Sequence, residues 1–531
     1  MSHPAASRRF RLAVGGMPAV ILAGPLFVAA AATRLSLPVA GLIALVGAVV
    51  AGRAFAVRVS APSRWDRGAK LLLTAWLLGG AVAAYRLGRL SVYMHDVVRT
   101  DFAFNPTIRE FDDPELFRDF HPRHNCFTCY IVASHLADER VDNLYDLKYH
   151  RRAEEPTAIH DQIGDALTVD TYQYPPTFLL LPKLLTATGG DFYQLRSYWF
   201  GLNALVLVAV LVALFLWIGG RQLSATWLAL PALIASPIFI ATMQMQNVHL
   251  LIILISIAAL PAFAANRNAL GGALLGFAAV GKLFPAMLVI FLLLQKRWRA
   301  VLWTGGWMIA YALLTLIVFG PKPYEAFFSY QMPRLAGGEA FSFAAENFAA
   351  LTKNTSVLGI AHKLGKLGVL SNPAPIAKTL VWGYTVVLVA VLIVVGRRRF
   401  GWTAGPDTND PQNGHRRALA CAWVAILVLA QLRSPFLPWS YGNLAVLMLL
   451  TLLFPIRRSE PRAILRAILI AIAWAMLAVT IPLAAGPPIP APDIIFTLCA
   501  TVVTFIAVAA ALKKRGPVIA AIAVEGREIH V

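Results

Sequence analysis

Apolar residues in this chain do not alternate with polar ones; they come in long uninterrupted runs. The stretches 250–263, 301–319, 380–395 and 464–485 are close to or at the length of roughly 20 residues that an α-helix needs to cross a bilayer. A closed β-barrel would instead show segments of about 10 residues with alternating hydrophobicity, and these are not seen. The pattern therefore predicts an all-α polytopic membrane protein. Taken together, the runs near 13–32, 36–57, 71–93, 198–218, 224–243, 247–264, 300–320, 374–396, 417–432, 441–455, 463–484 and 490–512 lead, with two short pieces inside 269–295, to a bundle of about 12–14 crossings.

Three interruptions carry more information than the runs themselves. Residues 94–174 form the one long stretch of the first 300 without a membrane-length apolar run. Part of 130–147, where Ile131, Leu136, Val141 and Leu144 stand among charges, is expected to be a helix lying on the membrane surface. The piece 175–185, opened by Tyr174 and bounded by Gly189 and Gly190, is barely long enough to cross and reads as a re-entrant or tilted short helix. The run 269–295 is broken at its middle by Gly281, Lys282 and Pro285, which predicts two short helices. The expected organisation is N-terminal membrane helices over 1–93, a large loop over 94–174, a membrane core over 175–320, a second loop over 321–373, and C-terminal helices with a short tail over 374–531.

Composition agrees with this and excludes a soluble globule: 58% of the 531 residues are hydrophobic and 14% charged, against a charged fraction of about 25% in soluble domains. The net charge of +20 would suit nucleic acid, but the basic residues sit in short clusters between apolar runs. Arg64/Arg67/Lys70, Lys296/Arg297/Arg299, Arg397/Arg398/Arg399 and Lys513/Lys514/Arg515 are examples, and the positive-inside rule places them in the cytoplasm. Of the 27 acidic residues, 16 fall between Asp96 and Asp170. That loop is therefore expected outside the membrane, on the extracytoplasmic side, with no nucleic-acid partner. On the same topology Tyr172/Tyr174, Gln246/Asn247, Lys282, Arg334, Asn347 and Arg433 converge on the outer face.

Several of these residues could carry chemistry. A loop carboxylate held at a membrane-facing cavity can accept a proton from an attacking hydroxyl, so Asp101, Asp113 and Asp119 are candidate bases. Lys282, flanked by apolar residues, costs roughly 2.5–3.5 kcal/mol at a helix centre, and a lipid-linked phosphate would offset that cost. Arg334 and Arg433 are further phosphate candidates. Gln246 and Asn247 at a helix mouth can bond sugar hydroxyls or else cap and tie helices. Tyr172 and Tyr174 could stack on a sugar or simply mark the interface. Cys126 and Cys129 form a CxxC after His121 and His124; a metal site, a local disulfide and ordinary helix residues all remain open, although no second ligand pair supports zinc.

In this order the pieces resemble glycosyltransferase family 87, integral-membrane enzymes of the C-type fold (GT-C) that include polyprenyl-phosphate-mannose-dependent α-mannosyltransferases. The resemblance rests on Phe127, Tyr130 and Ala133, then Leu144-Tyr145-Asp146, Tyr174-Pro175-Pro176, Gln246 with Asn247, and Gly276 to Lys282 with Pro285. It implies a large first extracytoplasmic loop, a polyprenyl-phosphate sugar as donor and a lipid or glycan acceptor, among membrane lipids and with no cofactor. One departure matters. The aspartate that the family places before the first aromatic falls here on Cys126, which moves the base to Asp119, with Asp113 and Asp101 next and His124 as a neighbour that could bind substrate. The implied activity is inverting transfer of a sugar, mannose by resemblance, at the extracytoplasmic face. A transporter or flippase of lipid-linked precursors is the competing reading, since it too would hold lipid phosphates on basic residues.

Overall fold

The computed structural model describes residues 22–31, 37–56, 67–95, 125–150, 158–163, 167, 169–219, 231–342, 348–402, 414–454, 463–478 and 490–513. These residues are overwhelmingly helical, and the strand-like pairing among them is an isolated bridge between Asn354 and Pro438. The elements used below are α1 (Phe127–Asp138), α2 (Phe192–Ile218), α3 (Pro237–Met245), α4 (Val248–Ala264), α5 (Asn268–Gly281), α6 (Ala286–Leu294), α7 (Trp298–Phe319), α8 (Gly414–Leu432) and α9 (Trp439–Leu453).

Among the described residues five helices are long and apolar enough to cross a membrane: α2, α7, Pro373–Gly396, α8 and Pro492–Leu512. A bent pair, α3 with α4, makes a sixth if counted as one span. The all-α polytopic architecture thus stands, and several apolar runs fold as shorter helices. α5 has 14 residues and α9 has 15, which at 1.5 Å per residue is short of the roughly 30 Å hydrocarbon core. Run length in a sequence therefore overstates span length wherever a cap or a break falls inside the run.

Burial separates central helices from peripheral ones. α8 is 83% buried and sits inside the bundle, whereas α7 is 11% buried. On α7, Leu302 and Ile317 are 72% and 79% exposed, an apolar surface that only a lipid environment accommodates without an aggregation hazard. The helix starts are locally determined. Asp191 and Gln194 form a reciprocal capping box at α2, with Asp191 Oδ1 accepting from the Gln194 amide at 2.9 Å. Ser236 caps α3, whose first residue is Pro237.

The broken run behaves as its residues require. α5 stops at Gly281, Lys282 adopts an extended backbone (φ −156°, ψ 112°), and Pro285 begins α6. α5 and α7 approach closely through Gly272 and Gly276, a small-xxx-small spacing. A Cβ on Gly272 would lie 2.8 Å from the Trp303 carbonyl carbon and 2.9 Å from the Thr304 amide nitrogen, both backbone atoms that cannot swing aside. Gly272→Val is expected to lower stability by about 1–3 kcal/mol, read by thermal unfolding in detergent. Gly305→Ala, where nothing lies within 4 Å of an added Cβ, should leave the midpoint unchanged or raise it.

Two buried clusters organise the interior. The larger joins α2, α4, α8, α9 and the C-terminal helices. The smaller is aromatic, built around Phe127, Tyr130, Tyr145, Tyr172, Phe178 and Trp199, and it supports the site described next. Against expectation, α1 is not a surface helix. Ten of its residues, from Phe127 to Ala137, are buried, and the charges that suggested amphipathicity, Glu139, Arg140 and Asp142, belong to the turn that follows it.

Candidate active site

The site is built around the break between α5 and α6. Lys282 is half-buried there, with its Nζ 5.1 Å from the ring centroid of Tyr174 and 5.7 Å from that of Tyr441. The ion pairs among the described residues are His135–Glu139, Lys183–Asp138 and Lys322–Asp142, and none reaches Lys282. Each ring face contributes about 0.5–2 kcal/mol to a cation. Neither ring supplies a lone-pair acceptor to the three ammonium protons, so the charge is caged but not neutralised.

Beside the cage stands the bend between α3 and α4, which turns through 107°. Gln246 makes the turn in the left-handed region (φ 53°), and Asn247 caps α4 by accepting from the His249 amide at 2.9 Å. The Asn247 Nδ2 then donates to the Tyr174 hydroxyl at 3.3 Å and to Cys126 Sγ at 3.2 Å. Tyr130 completes the group: its hydroxyl accepts from the Val248 amide at 2.9 Å and lies 3.4 Å from that of Tyr174. The start of α1 is pinned to the same bend, since the Cys126 amide donates to the Met245 carbonyl at 2.8 Å. His249 forms the rear wall, bonded to Gln431 Oε1 at 2.9 Å and packed between Phe284 and Tyr441.

The expected residues divide sharply on this geometry. Lys282, Tyr174 and Asn247 come together. Gln246 does not join them: it is 3% exposed, and its Nε2 donates to the Arg196 carbonyl at 3.0 Å, which makes it a tie between helices. Tyr172 is fully buried against Tyr145, Tyr174 and Phe178, with its hydroxyl on the Pro175 carbonyl, so its ring is unavailable for stacking on a sugar. Arg334 stacks on Tyr330 of its own segment, and Arg433 donates to Thr385 Oγ1 while lying over Trp382. Asp101, Asp113, Asp119, His124 and Asn347 lie outside the described residues.

Cys126 and Cys129 are buried free thiols, which sets aside the local disulfide. Burial, helped by Asp170 and Cys126, pushes the Cys129 thiol well above its ordinary value, so it is protonated at neutral pH. Among the described residues no three His, Cys, Asp or Glu side chains converge as metal ligands. Sequence reasoning passed over Tyr441, which forms half of the lysine cage, because a tyrosine at the start of an apolar helix usually marks a membrane interface. It also passed over Asp170, a half-buried carboxylate that acts electrostatically on both Cys129 and Tyr441 and whose amide bonds Thr128 Oγ1.

A caged cation, an amide donor beside it and two ring faces are suited to hold a phosphate ester with a sugar laid across an aromatic surface. Comparison with curated proteins and with solved structures returns no match. The family model described as glycosyltransferase family 87 matches residues 172–409, a stretch that includes Tyr174, Asn247 and Lys282. On that match, the chain belongs to glycosyltransferase family 87.

Proposed function

We propose that this glycosyltransferase takes its sugar, mannose, from a polyprenyl-phosphate sugar and transfers it to a lipid or glycan acceptor at the extracytoplasmic face. The observation that carries the reading is the Lys282 ammonium between Tyr174 and Tyr441, a cation in an apolar setting with ring faces but no carboxylate against it. A lipid-linked phosphate supplies the missing acceptor oxygens and reaches this position from within the bilayer.

In the proposed reaction a carboxylate of the large loop, Asp119 ahead of Asp113 and Asp101, removes the proton from the acceptor hydroxyl. The resulting oxygen attacks the anomeric carbon, the bond from that carbon to the phosphate oxygen breaks, and configuration inverts. Lys282 stabilises the charge that gathers on the departing phosphate, with Arg334, Arg433 and Asn347 as flanking candidates on the second loop and the C-terminal helices. Asn247 orients the Tyr174 hydroxyl, and the Tyr174 ring supplies the surface for the sugar. His124 lies close in sequence to Asp119 and is assigned to substrate contact.

The test uses purified protein in lipid vesicles, a labelled polyprenyl-phosphate mannose and a lipid extract as acceptor. Label is expected in a new lipid or glycan product. A nucleotide sugar offered in place of the lipid donor should give none. Label that stays on the polyprenyl phosphate, while the donor crosses the vesicle membrane, would favour the transporter reading instead.

A further inference from the structure

On the other side of the Gln246–Asn247 turn lies a second cation that the donor site does not use. Arg196, in the first turns of α2, is 0% exposed. Its Nε, Nη1 and Nη2 have no hydrogen-bond partner. Tyr93 lies against it, with the guanidinium carbon 4.9 Å from the ring centroid, but a ring face satisfies none of the five N–H donors in the guanidinium plane. Arginine is almost never fully buried without a partner, because an unpaired buried charge is strongly unfavourable.

The surroundings show where a partner would sit. Ser197 donates to the Met94 carbonyl and the Trp199 indole to the Gln246 carbonyl, so the helix is held against both the Arg67–His95 helix and the turn. The Gln246 Nε2 is spent on the Arg196 carbonyl, whereas its Oε1 is buried with no partner. Thus a buried fork of donors and an orphaned acceptor flank one wall of the same turn whose next residue, Asn247, faces the Lys282 cage. The two cations stand on adjacent residues of one bend, Arg196 through Gln246 and Lys282 through Asn247 by way of Tyr174.

We infer that Arg196 is the anchor of a second anion site, which binds a phosphate group other than the donor's. The planar guanidinium matches phosphate oxygens two at a time, a geometry that a single ammonium does not offer. In the proposed reaction two substrates meet at this bend, and the phosphate at Arg196 belongs to the acceptor side, as the headgroup of a phospholipid. The inference rests on the donor reading for that last assignment, but the anion site itself stands on Arg196 alone.

The experiment measures phosphate binding as a thermal shift in nanodiscs of phosphatidylcholine, with phosphatidic acid and inorganic phosphate as separate probes. Lys282→Ala removes the donor site and serves as the background. In that background a phosphate-dependent shift is expected to persist, and adding Arg196→Gln should abolish it. Arg196→Lys keeps the charge and loses the fork, so its affinity should fall about tenfold or more. A shift with phosphatidic acid alone assigns the site to a lipid headgroup, and a shift with inorganic phosphate assigns it to phosphate in general. No shift in Lys282→Ala, or an equal shift with and without Arg196→Gln, overturns the inference. If Arg196→Gln fails to fold by circular dichroism, unchanged affinity in a folded Arg196→Lys overturns it equally. Loss of transfer in Lys282→Ala with this binding intact would leave both readings standing, whereas normal transfer in Lys282→Ala with this binding intact removes only the donor assignment.

Discussion

Asp119→Asn is expected to bind the donor normally and to lose turnover by about 10²–10⁴-fold, the range for removing a general base. The amide keeps the shape and much of the hydrogen bonding of the carboxylate but cannot take the acceptor's proton. Donor KM should therefore hold while kcat falls, the signature of an interaction made only in the transition state. Asp101→Asn and Asp113→Asn are the necessary comparators. Asp170→Asn joins them, since Asp170 is the described carboxylate nearest in effect to Tyr441 and Cys129. Normal turnover in Asp119→Asn with collapse in one of the others moves the role to that residue. Normal turnover in all four contradicts carboxylate catalysis and favours transport.

The second large effect belongs to Lys282→Ala. Removing a charge aimed at a departing phosphate typically costs about 10²–10³ in rate, and donor affinity should weaken as well. Both kcat and donor KM are thus expected to worsen, which separates this variant from Asp119→Asn. Folding should be preserved or improved, because the ammonium has ring faces but no counter-charge to lose. Thermal unfolding without donor checks that point. Normal transfer at limiting donor in a folded Lys282→Ala protein would contradict the phosphate role.

How much of this was legible beforehand depends on the range of the interactions. The break at Gly281, Lys282 and Pro285 was legible because glycine, a charge and proline act locally on the helix that contains them. The mouth at Gln246 and Asn247 was legible for the same reason, but the division of labour between the two residues was not. Gln246 turns towards Arg196 and Asn247 towards Tyr174, contacts 50 and 73 residues away in sequence. Tyr172 illustrates the converse. Two residues from Tyr174, it reads as an equal partner for a sugar, yet Tyr145 and Phe178 close over it. Arg196 carries no local signal at all: a lone arginine shortly before an apolar run ordinarily belongs to the interface, and only packing against Tyr93 and the turn shows it buried.

The central claim is that Lys282 holds the phosphate of a lipid-linked sugar donor, and a structure of the protein with a polyprenyl-phosphate mannose bound tests it most directly. The account predicts a phosphate oxygen about 3 Å from Lys282 Nζ, a charge-assisted hydrogen bond, with the sugar against the Tyr174 ring. A donor phosphate seated elsewhere, while Lys282 stays between Tyr174 and Tyr441 without touching it, would contradict the account.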